Sequence, residues 1–139
     1  MAKLGAKPAW TSYAESITAA RTLTAADSGK MFFVDSSSGA LAITLPAVSG
    51  TAALHFEFIS TDSTADVTIV CDGTEQKTAG VVYTCPDNAN PQIDVDAAAT
   101  TVTIVTAALP GTFVELHSNG SLWYVQGFAD DTDLLTLTG

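Results

Sequence analysis

The sequence predicts an all-β fold, a single antiparallel β-sandwich or jelly-roll-like domain with an extended N-terminal arm. From residue 30 onward, short runs of β-branched and aromatic residues alternate with Gly, Pro, Asn, Asp and Ser, a pattern typical of strands joined by turns. No long amphipathic helical pattern separates these runs, which argues against an α/β fold. A length of 139 residues suits one hydrophobic core rather than two. We therefore expect an arm over residues 1–21 and a β-sandwich domain over residues 22–139.

The predicted arm differs in composition from the rest of the chain. It includes a stretch over residues 14–20 with the potential for one or two helical turns, which are marginal in water without packing. We interpret the segment as an arm that becomes ordered on a partner. Its aromatic side chains have no expected core to enter, and Trp, Tyr and Arg are common anchors of interfaces. The expected partner-binding residues are Lys3, Lys7, Trp10, Tyr13 and Arg21.

The first predicted strands begin at residue 30. Residues 30–35 and 41–45 are runs of apolar and β-branched side chains that end at turn-forming residues. Residues 54–58 alternate strictly between apolar and polar side chains, so the three apolar side chains share one face. His55 and Glu57 lie on the opposite face. This alternation predicts a half-buried strand.

Six further runs predict the rest of the domain. The Asn119-Gly120 pair between the last two runs is the strongest short-range signal of a β-hairpin. Trp123 alternates with its neighbours in the last run, and we expect it in the core rather than in a carbohydrate-binding platform. The six predicted strands cover residues 67–71, 81–84, 92–96, 101–106, 112–117 and 122–126.

The C-terminal tail is acidic over residues 130–133 and then apolar. Leucine side chains left exposed there would favour aggregation, so we expect either a final strand or a subunit contact to cover them. The residues expected in an oligomer contact are Leu134, Leu135 and Leu137.

The charge of the chain is unevenly distributed. The net charge is -10, yet the first thirty residues hold four of the five cations and only two carboxylates. The remaining residues hold one cation and thirteen carboxylates. Such an acidic body disfavours nucleic acid, because phosphate binding depends on Lys and Arg. No apolar run reaches the roughly twenty residues of a membrane span, and the N-terminus lacks the apolar segment of a signal peptide, so we expect neither a membrane partner nor secretion.

The sequence contains no recognisable catalytic machinery, and we expect no enzymatic activity and no cofactor. His55 and His117 are the only histidines, and the strand pattern places them on an exposed face or at a turn, where a structural role is expected. A metal site is not expected, because zinc needs several ligands and the two histidines have no paired spacing. Asp94 and Asp96 share a strand face, and residues 130–133 are acidic, so calcium is a minor alternative.

Two parts of the chain resemble a β-rich module of phage virion proteins. The first is Leu-Thr-Ala-Ala-Asp-Ser-Gly-Lys over residues 23–30, followed by a strand and by Leu-Pro at 45–46. The second runs from Asn-Gly through Trp-Tyr-Val to Gly over residues 119–127. The chain thereby resembles the capsid decoration proteins of tailed bacteriophages, also called cement or head-stabilising proteins, over most of residues 22–127. One module with a short arm and no coiled-coil or collagen-like shaft favours decoration over a tail fibre.

The resemblance implies a structural protein of the virion. Homotrimers would occupy local three-fold positions on the outer surface of the capsid, bind the major capsid protein and stabilise the head. The arm would hold the capsid or a neighbouring subunit while the acidic body faces solvent. The protein would be made in the host cytoplasm and would carry no cofactor.

Two alternatives remain open at this point, because fold likeness does not fix function. The first is a tail-fibre or receptor-binding module that recognises a host glycan, which predicts an exposed aromatic cluster with convergent polar groups. The second is a small hydrolase of cell-wall polysaccharide, which predicts two carboxylates facing each other across a cleft.

Overall fold

The computed structural model describes residues 13–48, 53–71, 78–84, 92–131 and 133–139. These ranges contain twelve strands, a short 3-10 helix at Ala25–Asp27 and no α-helix, so the all-β class is confirmed. None of their helices is long and apolar enough to cross a membrane. The strands are β1 (Ala14–Ile17), β2 (Arg21–Thr22), β3 (Lys30–Asp35), β4 (Leu41–Thr44), β5 (His55–Asp62), β6 (Val67–Val70), β7 (Thr78–Thr84), β8 (Gln92–Ala99), β9 (Thr101–Ile104), β10 (Phe113–Ser118), β11 (Trp123–Ala129) and β12 (Leu135–Thr138).

The strands form two mixed sheets. The large sheet has seven strands in the order β1-β3-β5-β10-β11-β7-β8. The small sheet has five strands in the order β12-β9-β6-β4-β2. Buried apolar side chains from both sheets belong to one hydrophobic cluster, so the two sheets share a core.

The first six strands form a coil. Strands β1, β3 and β5 pair in parallel in the large sheet, while β2, β4 and β6 pair in parallel in the small sheet. Because successive strands alternate between the sheets, each turn of the coil contributes one strand to each sheet. Three such turns stack on one another, an arrangement similar to that of β-solenoids, in which each repeat contacts its neighbours.

The second half of the chain extends this coil mainly by antiparallel pairing. Strand β10 pairs antiparallel with β5 and β11, and β9 pairs antiparallel with β6 and β12. Strand β7 inserts parallel to β11 and carries β8 antiparallel at the edge. The prediction of an antiparallel arrangement is therefore wrong for five of the ten described pairings. Inward and outward side chains alternate every two residues in both parallel and antiparallel sheets. This alternation therefore does not reveal the direction in which a strand pairs.

The core follows from the alternation of each strand. In β11 every second residue is buried, beginning with Trp123, and β5 shows the same pattern. The fully buried rings of Phe56 and Trp123 lie 5.7 Å apart, and those of Phe32 and Phe58 lie 5.5 Å apart and are stacked. Aromatic side chains of this size supply a large share of the buried apolar area. The predicted core position of Trp123 is confirmed.

The nine strands predicted from the sequence are all present; the strand over residues 30–35 has the predicted bounds, and the other eight have shifted ends. The predicted hairpin is confirmed, since β10 and β11 pair around the Asn119-Gly120 turn, in which Gly120 has a φ of 89°. A positive φ at this position suits glycine.

Residues 14–17 are strand β1 and do not form the helical turn for which their sequence has the potential. Pairing with β3 satisfies the backbone of this short segment, which an isolated helical turn in water does poorly. Residues 14–17 and 21–22 of the predicted arm are thus strands of the two sheets, and residues 1–12 lie outside the described ranges.

Candidate functional site

The two sheets present different outer faces, meaning the faces whose side chains point away from the shared core. On the small sheet this face is rich in threonine, and Thr68, Thr103 and Thr136 lie side by side across three strands. We call it the threonine face. The large sheet presents apolar and aromatic side chains instead, and four of the five exposed large hydrophobic residues of the described chain lie on it. They are Tyr13, Tyr83, Tyr124 and Phe128.

One half of this outer face forms a shallow groove across β10, β11 and β7, here called the aromatic groove. The strand register places Phe113, Phe128 and Tyr83 next to one another on three successive strands. The rings of Phe128 and Tyr83 are each 47% exposed, so they are accessible to a partner. The groove has a volume of about 510 Å³, and Gln126 supplies an amide among its apolar walls.

The other half forms a second groove across β1 and β3, here called the N-terminal groove. It has a volume of about 390 Å³ and is lined by Tyr13, Met31, Phe33 and Glu57, among others. Tyr13 is 53% exposed, and its backbone carbonyl accepts a 2.6 Å hydrogen bond from the Met31 amide. The start of the described chain is therefore fixed to this face.

A cluster of titratable side chains lies between the two grooves, on β5 and β10. Glu115 Oε1 lies 3.0 Å from His55 Nε2 and 2.9 Å from His117 Nε2. Glu57 Oε1 lies 3.7 Å from His55 Nε2. These four residues form the His–Glu cluster, in which a carboxylate oxygen accepts hydrogen bonds from two imidazoles.

Antiparallel pairing of β5 with β10 creates the His–Glu cluster. His117 lies directly opposite His55, and Glu115 lies directly opposite Glu57. The imidazole rings of the two histidines stack with centroids 4.5 Å apart and planes 12° apart. Directly opposite residues of an antiparallel pair have neighbouring side chains, which brings together groups that are far apart in sequence.

A second group of charges, here called the charged cluster, lies at the first turn of the coil. Arg21 and Lys30 each form ion pairs with both Glu15 and Asp27. Hydrogen bonds from Arg21, and then from Lys30, lower the pKa of Glu15. The Arg21 guanidinium also lies over the ring of the buried Phe32, 5.4 Å from its centroid, so the charges cover the edge of the core.

The predicted site residues fall into three groups in the structure. Lys3, Lys7 and Trp10 lie outside the described residues. Tyr13 lies exposed at the N-terminal groove, whereas Arg21 is engaged in ion pairs within the chain. Leu135 and Leu137 are buried in β12, and Leu134 packs against the core. The final strand, one of the two expected arrangements, therefore covers these leucines within the chain.

The His–Glu cluster and the two grooves were not predicted as a site. His55 and Glu57 were expected on an outer face, as observed, but nothing in the sequence indicated that β5 would pair with β10. The alternation in both strands is the signal that places all four side chains on outward positions. The side chains of Asp94 and Asp96, the calcium alternative, lie outside the described part of the structure.

Comparisons with known protein families, curated proteins and solved structures find no match to this chain. The function of the chain is therefore inferred from its residues and from the geometry of the outer faces.

Proposed function

We propose that the chain is a capsid decoration protein of a tailed bacteriophage that attaches to the major capsid protein by the outer face of its large sheet. The observation that carries this proposal is the concentration of exposed aromatic side chains on one face, opposite a threonine face. Aromatic residues are enriched at the centres of protein interfaces, and clustered exposed apolar groups mark interaction surfaces. The sequence resemblance to decoration proteins supports the same function.

The N-terminal segment extends this attachment surface in our proposal. Tyr13 joins the segment to the N-terminal groove, so Lys3, Lys7 and Trp10 precede a residue already fixed on the same face. Cations and an aromatic side chain there would add contacts to the capsid. Arg21 is omitted from this surface, because Glu15 and Asp27 pair with it inside the chain.

The threonine face would then face solvent. We propose that the two sheets pack as a β-sandwich and that three copies assemble around a local three-fold axis on the outer surface of the virion. Closed symmetry multiplies weak contacts, so each copy needs only modest affinity for the capsid. This function requires binding and no catalysis.

The test uses virions produced without the gene for this chain, to which the purified full chain is added. We expect the chain to sediment with the heads and to appear on them in electron micrographs. The double variant Tyr124→Ala and Phe128→Ala should lose at least tenfold in affinity, because exposed aromatic anchors dominate such interfaces. Deletion of residues 1–12 should weaken binding further.

The matched control is Thr68→Ala with Thr103→Ala, which changes the threonine face and should bind as the unmodified chain does. Circular dichroism verifies that each variant is folded. The proposal is overturned if the unmodified chain does not sediment with heads, or if the aromatic variant binds with unchanged affinity.

A specific observation favours a second candidate, a receptor-binding module for a host glycan. Tyr83, Tyr124 and Phe128 surround a groove that also contains the Gln126 amide, and aromatic rings with convergent polar groups suit sugars. The two candidates differ in location on the virion. If the chain is located on the tail in electron micrographs, and the free chain binds host surface glycan, receptor recognition is the function instead of capsid decoration.

A further inference from the structure

The His–Glu cluster combines three donor atoms of the kinds that zinc prefers. The ligand atoms of His55, Glu115 and His117 all lie within 4.8 Å of one another. Ligands at about 2.0–2.2 Å from a tetrahedral zinc ion are separated by roughly 3.3–3.6 Å. The 3.0 and 2.9 Å distances from Glu115 to the two imidazole nitrogens are close to that separation, and rotation of the stacked imidazoles about their side-chain bonds aims both nitrogens at one ion. We infer that these three residues bind one divalent transition-metal ion, with zinc as the physiological ion.

The donor types distinguish zinc from the hard cations. Two imidazole nitrogens and one carboxylate form a set that is common in zinc sites with an open position, whereas calcium and magnesium select oxygen ligands. The fourth position is then available to a water molecule or to Glu57, whose Oε1 lies 3.7 Å from His55 Nε2. A hydrogen-bonded His–Glu–His group without metal uses the same contacts, so the experiment must separate these two states.

The backbone holds the two strands that carry the donors in place without metal. Strands β5 and β10 are neighbours inside the seven-stranded sheet, with partners on both sides. The His55 amide donates to Ser28 Oγ at 3.0 Å, and the His55 carbonyl accepts from the Gly29 amide at 2.8 Å. A rigid backbone lowers the ordering cost of assembling a metal site.

Metal binding changes the protonation of the cluster. Each imidazole must present an unprotonated Nε2 to the ion, so the proton that Nε2 donates to Glu115 leaves or moves to Nδ1. Glu115 then binds the metal through the oxygen that previously accepted these protons. The ion replaces the shared protons and joins β5 to β10 across the outer face.

The test exploits the presence of only two histidines in the chain. Zinc chloride is titrated into the full chain without a histidine tag, while imidazole nitrogen resonances are followed by NMR and heat by calorimetry. We expect one zinc ion per chain and large shifts of both Nε2 resonances. An equal concentration of magnesium should leave the spectrum unchanged.

Variants assign the ligands. His55→Ala, His117→Ala and Glu115→Gln should each lower zinc affinity at least tenfold, as expected for loss of one of three protein ligands. Gln126→Ala is the matched control, because Gln126 lies next to Glu115 on β11 and should not affect affinity. If Glu57 is the fourth ligand, Glu57→Gln lowers affinity; if water occupies that position, affinity is unchanged, and both results agree with the three-residue site.

Cobalt substitution tests whether the metal binds to cysteine instead of the His–Glu cluster. Nitrogen and oxygen ligands give a cobalt spectrum without the strong sulfur-to-metal charge-transfer bands of thiolate ligands. The inference is overturned if zinc leaves both histidine resonances unshifted, if uptake persists in the His55→Ala, His117→Ala double variant, or if cobalt shows thiolate bands. The NMR titration uses the unmodified chain, so the test stands even where a variant does not fold. Zinc binding is also independent of capsid binding, so either proposal can fail alone.

Discussion

The Lys30 ammonium lies 2.6 Å from Asp27 Oδ1, within the charged cluster beside the first turn of the coil. Oδ2 of the same carboxylate accepts hydrogen bonds from the Thr24 amide at 3.0 Å and from the Thr24 hydroxyl at 2.9 Å. The Lys30 hydrogen bond, with the Thr24 bonds added, lowers the pKa of Asp27 from 3.8 to about 2. Asp27 is therefore a carboxylate that the folded state strongly prefers to keep ionised.

Acid should weaken the fold through Asp27. Because its pKa is lower in the folded chain than in the unfolded chain, its contribution is present above a pH of about 4 and is lost as the pH falls toward 2. The shift corresponds to at most about 2 kcal/mol. Asp27→Asn should therefore lower the free energy of unfolding at neutral pH by about 1–2 kcal/mol and reduce its fall between pH 4 and 2.

Urea unfolding at several pH values measures this effect. The control is Asp133→Asn, an exposed carboxylate outside the charged cluster, at a left-handed backbone position that Asn tolerates well. It should leave the stability at neutral pH within about 0.5 kcal/mol of the unmodified chain. An unchanged pH profile in Asp27→Asn would refute the role of Asp27.

Gly80 tests the parallel pairing of β7 with β11. It lies opposite Val125, and a Cβ at this position would overlap the Val125 carbonyl oxygen and side chain. Gly80→Ala should therefore cost about 3 kcal/mol or more, measured by chemical denaturation, because backbone must move. Gly29→Ala is the comparison: it has free space but a φ of +84°, so strain alone should cost about 1 kcal/mol. Equal stabilities of the two variants would contradict the pairing.

Ser36 joins the end of β3 to the loop between β5 and β6. Its buried hydroxyl lies 3.0 Å from the Asp62 carbonyl oxygen and 2.7 Å from that of Ala65, and it accepts from the Ala65 amide at 3.3 Å. Ser36→Ala should lower the free energy of unfolding by about 1–3 kcal/mol, because it leaves buried backbone groups without this partner. Exposed Ser38→Ala should change it by less than about 0.5 kcal/mol. In Ser36→Ala, faster hydrogen exchange of the Ala65 amide would accompany the lower free energy of unfolding. An unchanged free energy of unfolding in this variant would contradict the role of the Ser36 hydroxyl.

The sequence predicts the strands well because their signals are local. The alternation in β5 and the Asn119-Gly120 turn depend on neighbouring residues, and both appear in the structure as expected. The inward position of Trp123 follows from the same rule. Local sequence therefore determines which side chains face the core, and it does so whether a strand pairs parallel or antiparallel.

The sheet topology and the His–Glu cluster depend on contacts that local patterns do not encode. His55 and Glu115 are 60 residues apart, and their contact exists because β10 pairs with β5. A search for metal ligands by sequence spacing misses such a pair. The ion pairs of Arg21 were missed for a similar reason, because the first turn of the coil brings Glu15 and Asp27 to it from opposite sides in sequence.

The first turn of the coil also affects whether copies of the chain can stack into a polymer. Strands β1 and β2 are edge strands of the two sheets, on the same side of the fold. A coil with open edges is a template on which the coil of another chain can stack, and repetition of that step gives a filament without a natural end. Here the edges are only four and two residues long, and the charged cluster lies beside them. Short edges and charged side chains oppose unlimited growth, so the outer face of the large sheet remains available for contacts that form a closed assembly.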